Sequence, residues 1–153
     1  MRETWIDTLL ALECFHVAFL LLHDWVPLGG LNDVQAVRAE NPGSRLLRTT
    51  LISAAPFVVG LVGSFWFLHR GYPMWLWYWL WASYALLFAG ELNAWWIPYV
   101  KGTTEERVKR YRAMFGRTWA FLPERNGIVP NALHVVLHAA TLATLGVLGA
   151  LTF

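Results

Sequence analysis

Charge is what this sequence has least of. Only 14% of its 153 residues are Asp, Glu, Lys or Arg, where a soluble domain carries nearer a quarter. The formal net charge of +2 gives no dense cationic surface, so no nucleic-acid partner is expected. Cysteine occurs once, at Cys14, which excludes an internal disulfide. Its place in an apolar run marks it as a small packing residue. A secretory signal with a small-residue cleavage site is not recognisable, and Glu3 and Asp7 near the start argue against a targeting segment. No internal repeat or low-complexity tract breaks the chain, and its length suits a single domain over 1–153.

What fills the chain instead is apolar: 57% hydrophobic residues and ten Trp, with a mean hydropathy of +0.43. Four apolar runs cover about residues 5–23, 46–68, 74–99 and 130–153. Each is near the roughly 20 residues a helix needs to span a bilayer, and too long for a barrel strand. The alternation in WLWYWLW, residues 75–81, looks strand-like, but Trp and Tyr also gather at membrane interfaces. Trp77 and Trp96 lie about 28 Å apart along a helix, close to the hydrocarbon thickness, so they are expected to mark the two aromatic belts. The expected fold is an all-α integral membrane protein: a bundle of four transmembrane helices plus a short basic amphipathic interfacial helix at about 104–115.

Ten of the twelve Lys and Arg lie in or beside the connections after the first and third runs. Arg2 and Arg70 alone mark the other face. The positive-inside rule then places both long connections in the cytoplasm and both termini outside, in a plasma membrane or bacterial inner membrane. Thr103 with Glu106 reads as a capping box. It opens a helix whose Val108, Tyr111 and Phe115 share a face, suited to the inner leaflet. The connection after the first run would fold back on the membrane surface through Leu28, Leu31, Val34 and Val37.

Against this background the segment ECFHVAFLLLHDW, residues 13–25, is anomalous. A charge inside a bilayer costs at least about 2.5 kcal/mol, so such residues face a bundle interior and have partners. Glu13, His16 and His23 follow one helical stripe. His134 and His138 share a face of the last run, with Asn131 a turn earlier, and the third run contributes Glu91. Counting residues inward from the basic face at 1.5 Å each, Glu13, His16, Glu91, His134 and His138 all fall roughly 6–15 Å deep. Three helices thus place their intramembrane carboxylates and imidazoles at one level.

Such a donor set suits Fe, Zn or Mn, and Glu13-x-x-His16 has the E-x-x-H spacing of di-iron bundles. The expected protein is therefore a membrane protein with a buried His/Glu metal site, acting as an oxidoreductase or hydrolase on a lipid-like, membrane-soluble molecule. Glu13, His16, Glu91, His134 and His138 would be ligands, with Glu13 or Glu91 free as the acid–base group. One alternative is a b-haem electron-transfer subunit with His16 and His138 as axial ligands, the haem flanked by Gly60, Gly63 and Ser64 and by Ala139, Ala140 and Gly146. Metal-free proton chemistry is another, with His23 and Asp24 at the mouth, joined by Arg125 and Asn131. A further reading is a non-catalytic accessory or transport subunit, in a homo-oligomer or larger membrane complex, held by a structural polar network.

Overall fold

Prolines and short polar caps punctuate the chain into helices. The computed structural model describes residues 2–153. Helix α1 is Arg2–Leu22. The connection after it closes into α2, Val34–Glu40, where Asp33 accepts a hydrogen bond from the Ala36 amide at 3.0 Å, as an N-cap should. Pro42 and Pro73 immediately precede α3, Gly43–Phe67, and α4, Met74–Glu91. A π-helical turn, Leu92–Trp96, continues α4 into α5, Ile97–Lys101. Helix α6, Glu105–Phe115, begins with two glutamates and has Arg112 in its last turn, matching the helix dipole. Helix α7 is Ala132–Thr152, capped by Asn131. Among the described residues there is no β-strand.

The four long helices close a ring: α1 packs on α3 and α7, and α4 packs on the same two. At the end carrying the chain termini, Leu9, Leu76, Leu80, Tyr84 and Leu148 are buried in a continuous apolar core. At the other end, α2 and α6 pack against each other, with Val37, Leu46 and Met114 forming a smaller core. The outer surface of the bundle carries Ile52, Val62, Phe65, Trp66, Leu86 and Leu142 in the open, while Glu13, His16, Glu91, His138 and Thr141 are buried. This distribution is inverted relative to a water-soluble domain. Helices α1, α3 and α7 are each long and apolar enough to cross a membrane. Helix α4 is not among them, because four Trp and two Tyr dilute its hydropathy.

Several sequence expectations need correction. The cap of α6 is Thr104, which accepts from the Arg107 amide, not Thr103. The apolar face of α6 meets protein, since Tyr111 and Phe115 pack at an angle against Trp95 and Phe115 also meets His134. Cys14 is exposed on the outside of α1 rather than packed in the core. Trp95 is buried rather than set on the outer surface, and half-buried Trp96 turns its indole N–H to His138. The π turn explains this, because one inserted residue rotates everything after it by about 100°.

Candidate functional site

The stripe on α1 buries Glu13 and His16 against α3, α4 and α7. Thr141 of α7 is the meeting point. Its Oγ1 lies 3.1 Å from His16 Nε2 and 2.8 Å from Glu91 Oε1, so α1, α4 and α7 do bring polar groups to one level. Nδ1 of His16 lies 2.7 Å from the Leu12 carbonyl. A carbonyl only accepts, so Nδ1 carries a hydrogen. Two arrangements of the remaining hydrogens are then possible. In one, protonated Glu91 donates to Thr141 and Thr141 donates to neutral His16. In the other, His16 is an imidazolium donating to Thr141, and Thr141 donates to the Glu91 carboxylate. They differ by one proton passed through the hydroxyl. The Leu137 carbonyl, 3.1 Å from Thr141 Oγ1, is a further acceptor for that hydrogen.

Towards the end of the bundle that carries the termini, Glu13 Oε1 accepts from the Ser64 hydroxyl at 3.1 Å. Tyr84 stands edge-on to His16 with ring centroids 5.0 Å apart. Tyr72, in the connection between α3 and α4, reaches the neighbourhood of Ser64 and Glu13. Burial pushes its phenol above the ordinary value, and the nearby Glu13 adds to the rise against an opposing pull from Ser64.

Towards α2 and α6, the polar groups continue. His134 Nδ1 donates to Asn131 Oδ1 at 2.6 Å, the same oxygen that caps the helix through the His134 amide. Its ring lies 5.8 Å from that of His23 and 6.3 Å from that of His138. His23 Nδ1 donates to the Phe19 carbonyl, leaving Nε2 at 3.3 Å from Asp24 Oδ1. Burial raises the Asp24 carboxyl above its usual range, and His23 pulls it partly back. His138 Nδ1 accepts from the Trp96 indole at 2.9 Å. Neutral His138 must therefore carry its hydrogen on Nε2. The π turn that delivers Trp96 leaves carbonyls without helical partners. Arg107 of α6 donates to those of Asn93 and Ala94, both at 3.0 Å, and Tyr111 donates to that of Ala94.

No protein family, curated protein or solved structure matches the chain. Function is therefore read from its own geometry.

The polar residues form a string rather than a cluster. Among the described residues no three His, Cys, Asp or Glu side chains come together as a set able to hold a metal ion. The five proposed ligands are spoken for in part: His16 by Leu12 and Thr141, His138 by Trp96, His134 by Asn131. The glycines that would flank a haem are filled by α4. A Cβ at Gly60 would lie 2.9 Å from Leu80, and one at Gly63 2.9 Å from Leu76.

Five buried polar atoms on the string have no hydrogen-bond partner among the described residues: the hydroxyls of Tyr72 and Tyr84, Glu13 Oε2, Glu91 Oε2 and His138 Nε2. The last two residues share a cleft of about 510 Å³ on the side of the bundle, between α3, α4 and α7. Its walls include Pro56, Trp79, Leu86 and Gly90, and Leu86 is 74% exposed, so the cleft opens through the apolar outer surface. His134 lines both this cleft and a second cavity of about 590 Å³ beside Arg107 and Arg110.

The expected vestibule is only partly assembled. Asn131 is a helix cap next to His134, while Arg125 is exposed in a tight turn closed by Arg125–Ile128 backbone hydrogen bonds. Asn126 and Gly127 hold positive φ there, and a side chain at Gly127 would strike Val108. Sequence reasoning missed Thr141, Ser64 and Trp96. Thr141 had a legible signal, since it continues the face of His134 and His138 at spacings of seven and three. Ser64 and Trp96 act across helices, and their partners have no fixed offset in the chain.

Proposed function

We propose that this is a polytopic membrane protein whose four long helices all cross the bilayer. The unbroken helical course from Met74 to Lys101 is about 42 Å long at 1.5 Å per residue, enough for α4 to span despite its aromatics. The bias of Lys and Arg supports a cytoplasmic position for α2 and α6, with both termini outside.

Its function, on this reading, is acid–base chemistry on a membrane-soluble molecule that enters the lateral cleft. The observation that carries it is the pair of bare, buried atoms on residues lining the cleft: a proton acceptor, Glu91 Oε2, and a donor, His138 Nε2–H. Buried polar atoms without partners are costly, and a ligand group that both donates and accepts would satisfy both. The wall of this cleft carries no Lys or Arg, which favours a neutral head such as a hydroxyl over an anionic one. Pockets that bind apolar molecules have this make-up, greasy walls with a few convergent polar groups.

The test is photo-crosslinking in vesicles with a long-chain alcohol bearing a diazirine. Wild-type protein should be labelled on the cleft walls. Gly90→Phe should block labelling, because open space surrounds the position of a Cβ there and the ring would fill the cleft. Labelling that Gly90→Phe leaves unchanged would refute the cleft as the binding site. A stoichiometric Fe, Zn or Mn in the purified protein, lost in His134→Ala, would replace this reading with the metal-dependent one.

A further inference from the structure

The polar string has two ends, and each borders a cavity lined by charged side chains. At the cytoplasmic end His134 borders the cavity beside Arg107 and Arg110, about 590 Å³. At the opposite end Tyr72 borders a cavity of about 690 Å³ among Arg2, Glu3, Asp7 and His69. Between them lies a series of proton-carrying groups contributed by α1, α3, α4 and α7. His134 is followed by His138 at a ring distance of 6.3 Å. His138 and Glu91 then line the same cleft, with a donor, Nε2–H, and an acceptor, Oε2, that have no hydrogen-bond partner among the described residues. Glu91 joins Thr141 and His16 in a hydrogen-bonded relay. Tyr84 stands against His16, one helical turn from Glu13, and Glu13 joins Ser64. Tyr72 completes the series beside Ser64 and Glu13.

We propose that this string is a face-to-face proton pathway, and that the protein moves protons across the membrane. This goes beyond the cleft reading, which needs only Glu91 and His138. The Thr141 relay supplies the elementary step. A proton leaves the Glu91 carboxyl for Thr141 Oγ1 as the hydroxyl hydrogen of Thr141 passes to His16 Nε2, so bonds made and broken balance. A purely structural network has no need of hydrogens that can be arranged in two ways. Nor does it need bare atoms at Glu13, Glu91, His138, Tyr72 and Tyr84, which act as transfer points when water bridges them. Ionisable residues inside transmembrane bundles mark proton relays for the same reason.

The full chain, reconstituted in vesicles loaded with a pH-sensitive dye, is driven by a valinomycin-set potassium potential. Wild-type vesicles should change internal pH several-fold faster than protein-free vesicles. Thr141→Val, equal in shape and lacking the hydroxyl, should fall to the protein-free rate, and Thr141→Ser should restore the flux. Wild-type vesicles no faster than empty ones would overturn the proposal, as would Thr141→Val conducting like wild type. If Thr141→Val does not fold, Glu13→Gln decides. It keeps the acceptor for Ser64 and cannot pass a proton, so retained flux in that variant overturns the pathway. Because Glu13 lies outside the cleft lining, its effect on flux is separable from alcohol labelling.

Discussion

The two halves of the bundle are held together differently. In the half nearest the termini, Leu9, Leu76 and Leu148 are fully excluded from solvent and Leu80 nearly so, and Gly60 and Gly63 let α3 and α4 approach until a single carbon would clash. In the half towards α2 and α6, helices meet through hydrogen bonds, aromatic edges and a cleft. Lipid tails are as apolar as leucine, so apolar contact alone gives helices in a bilayer no reason to associate. Close fit supplies the stability of the first half. The second half gives up fit for polar groups, and its π turn needs Arg107 and Tyr111 to satisfy the carbonyls it frees. Close leucine packing is thus concentrated in one half and the lateral cleft in the other, while the polar string passes through both.

The sharpest way to break this comparison is Gly60→Leu. A Cβ there already lies 2.9 Å from Leu80 and 3.5 Å from Glu13 Oε1, so a full leucine must force α3 from α4. Overpacking of this kind costs about 1–3 kcal/mol, occasionally more, and we expect the upper part of that range, read as denaturant-induced unfolding in detergent. A loss no larger than that of Gly146→Leu, where a Cβ meets nothing, would show that fit does not hold this half.

A smaller effect is expected at Asp24, in the polar half. Burial raises its carboxyl above the ordinary 3.8, with His23 opposing. The folded protein therefore holds this proton to higher pH than the unfolded chain does. Stability from Asp24 is present below the unfolded value and is lost as pH rises through the folded one. Asp24→Asn should flatten that decline in a series of thermal unfolding curves from acidic to neutral pH. An unchanged slope would mean that Asp24 is not the group responsible.

How much of this was legible in the sequence follows from the same division. Helix boundaries lay within a few residues of the apolar runs, because length and capping chemistry are local. The shared depth of His16 and Glu91 was legible because a helix rises by a fixed 1.5 Å per residue, and Thr141 bears it out by touching both. Depth alone could not distinguish a string from a cluster, since that depends on rotation about each helix axis. The π turn at Leu92–Trp96 has no composition signal, and within it Trp95 is buried while Trp96 reaches His138. Cys14 was misjudged because an apolar neighbourhood in the sequence is shared by both faces of a membrane helix.

That last error supplies the gentlest test of the comparison between inside and outside. Cys14 neighbours buried Glu13 yet faces outward. Cys14→Ser should change stability by less than about 0.5 kcal/mol, as surface substitutions do. The more informative readout is a nitroxide on Cys14 itself. Oxygen concentrates in lipid, whereas a charged nickel chelate stays in water, so a label on the lipid face should be relaxed strongly by oxygen and weakly by nickel. A label at Leu9→Cys in the Cys14→Ser background, inside the tight half, should be shielded from both. Strong relaxation of the Cys14 label by the nickel chelate would place this face of α1 in water and undo the inverted burial on which the membrane reading depends.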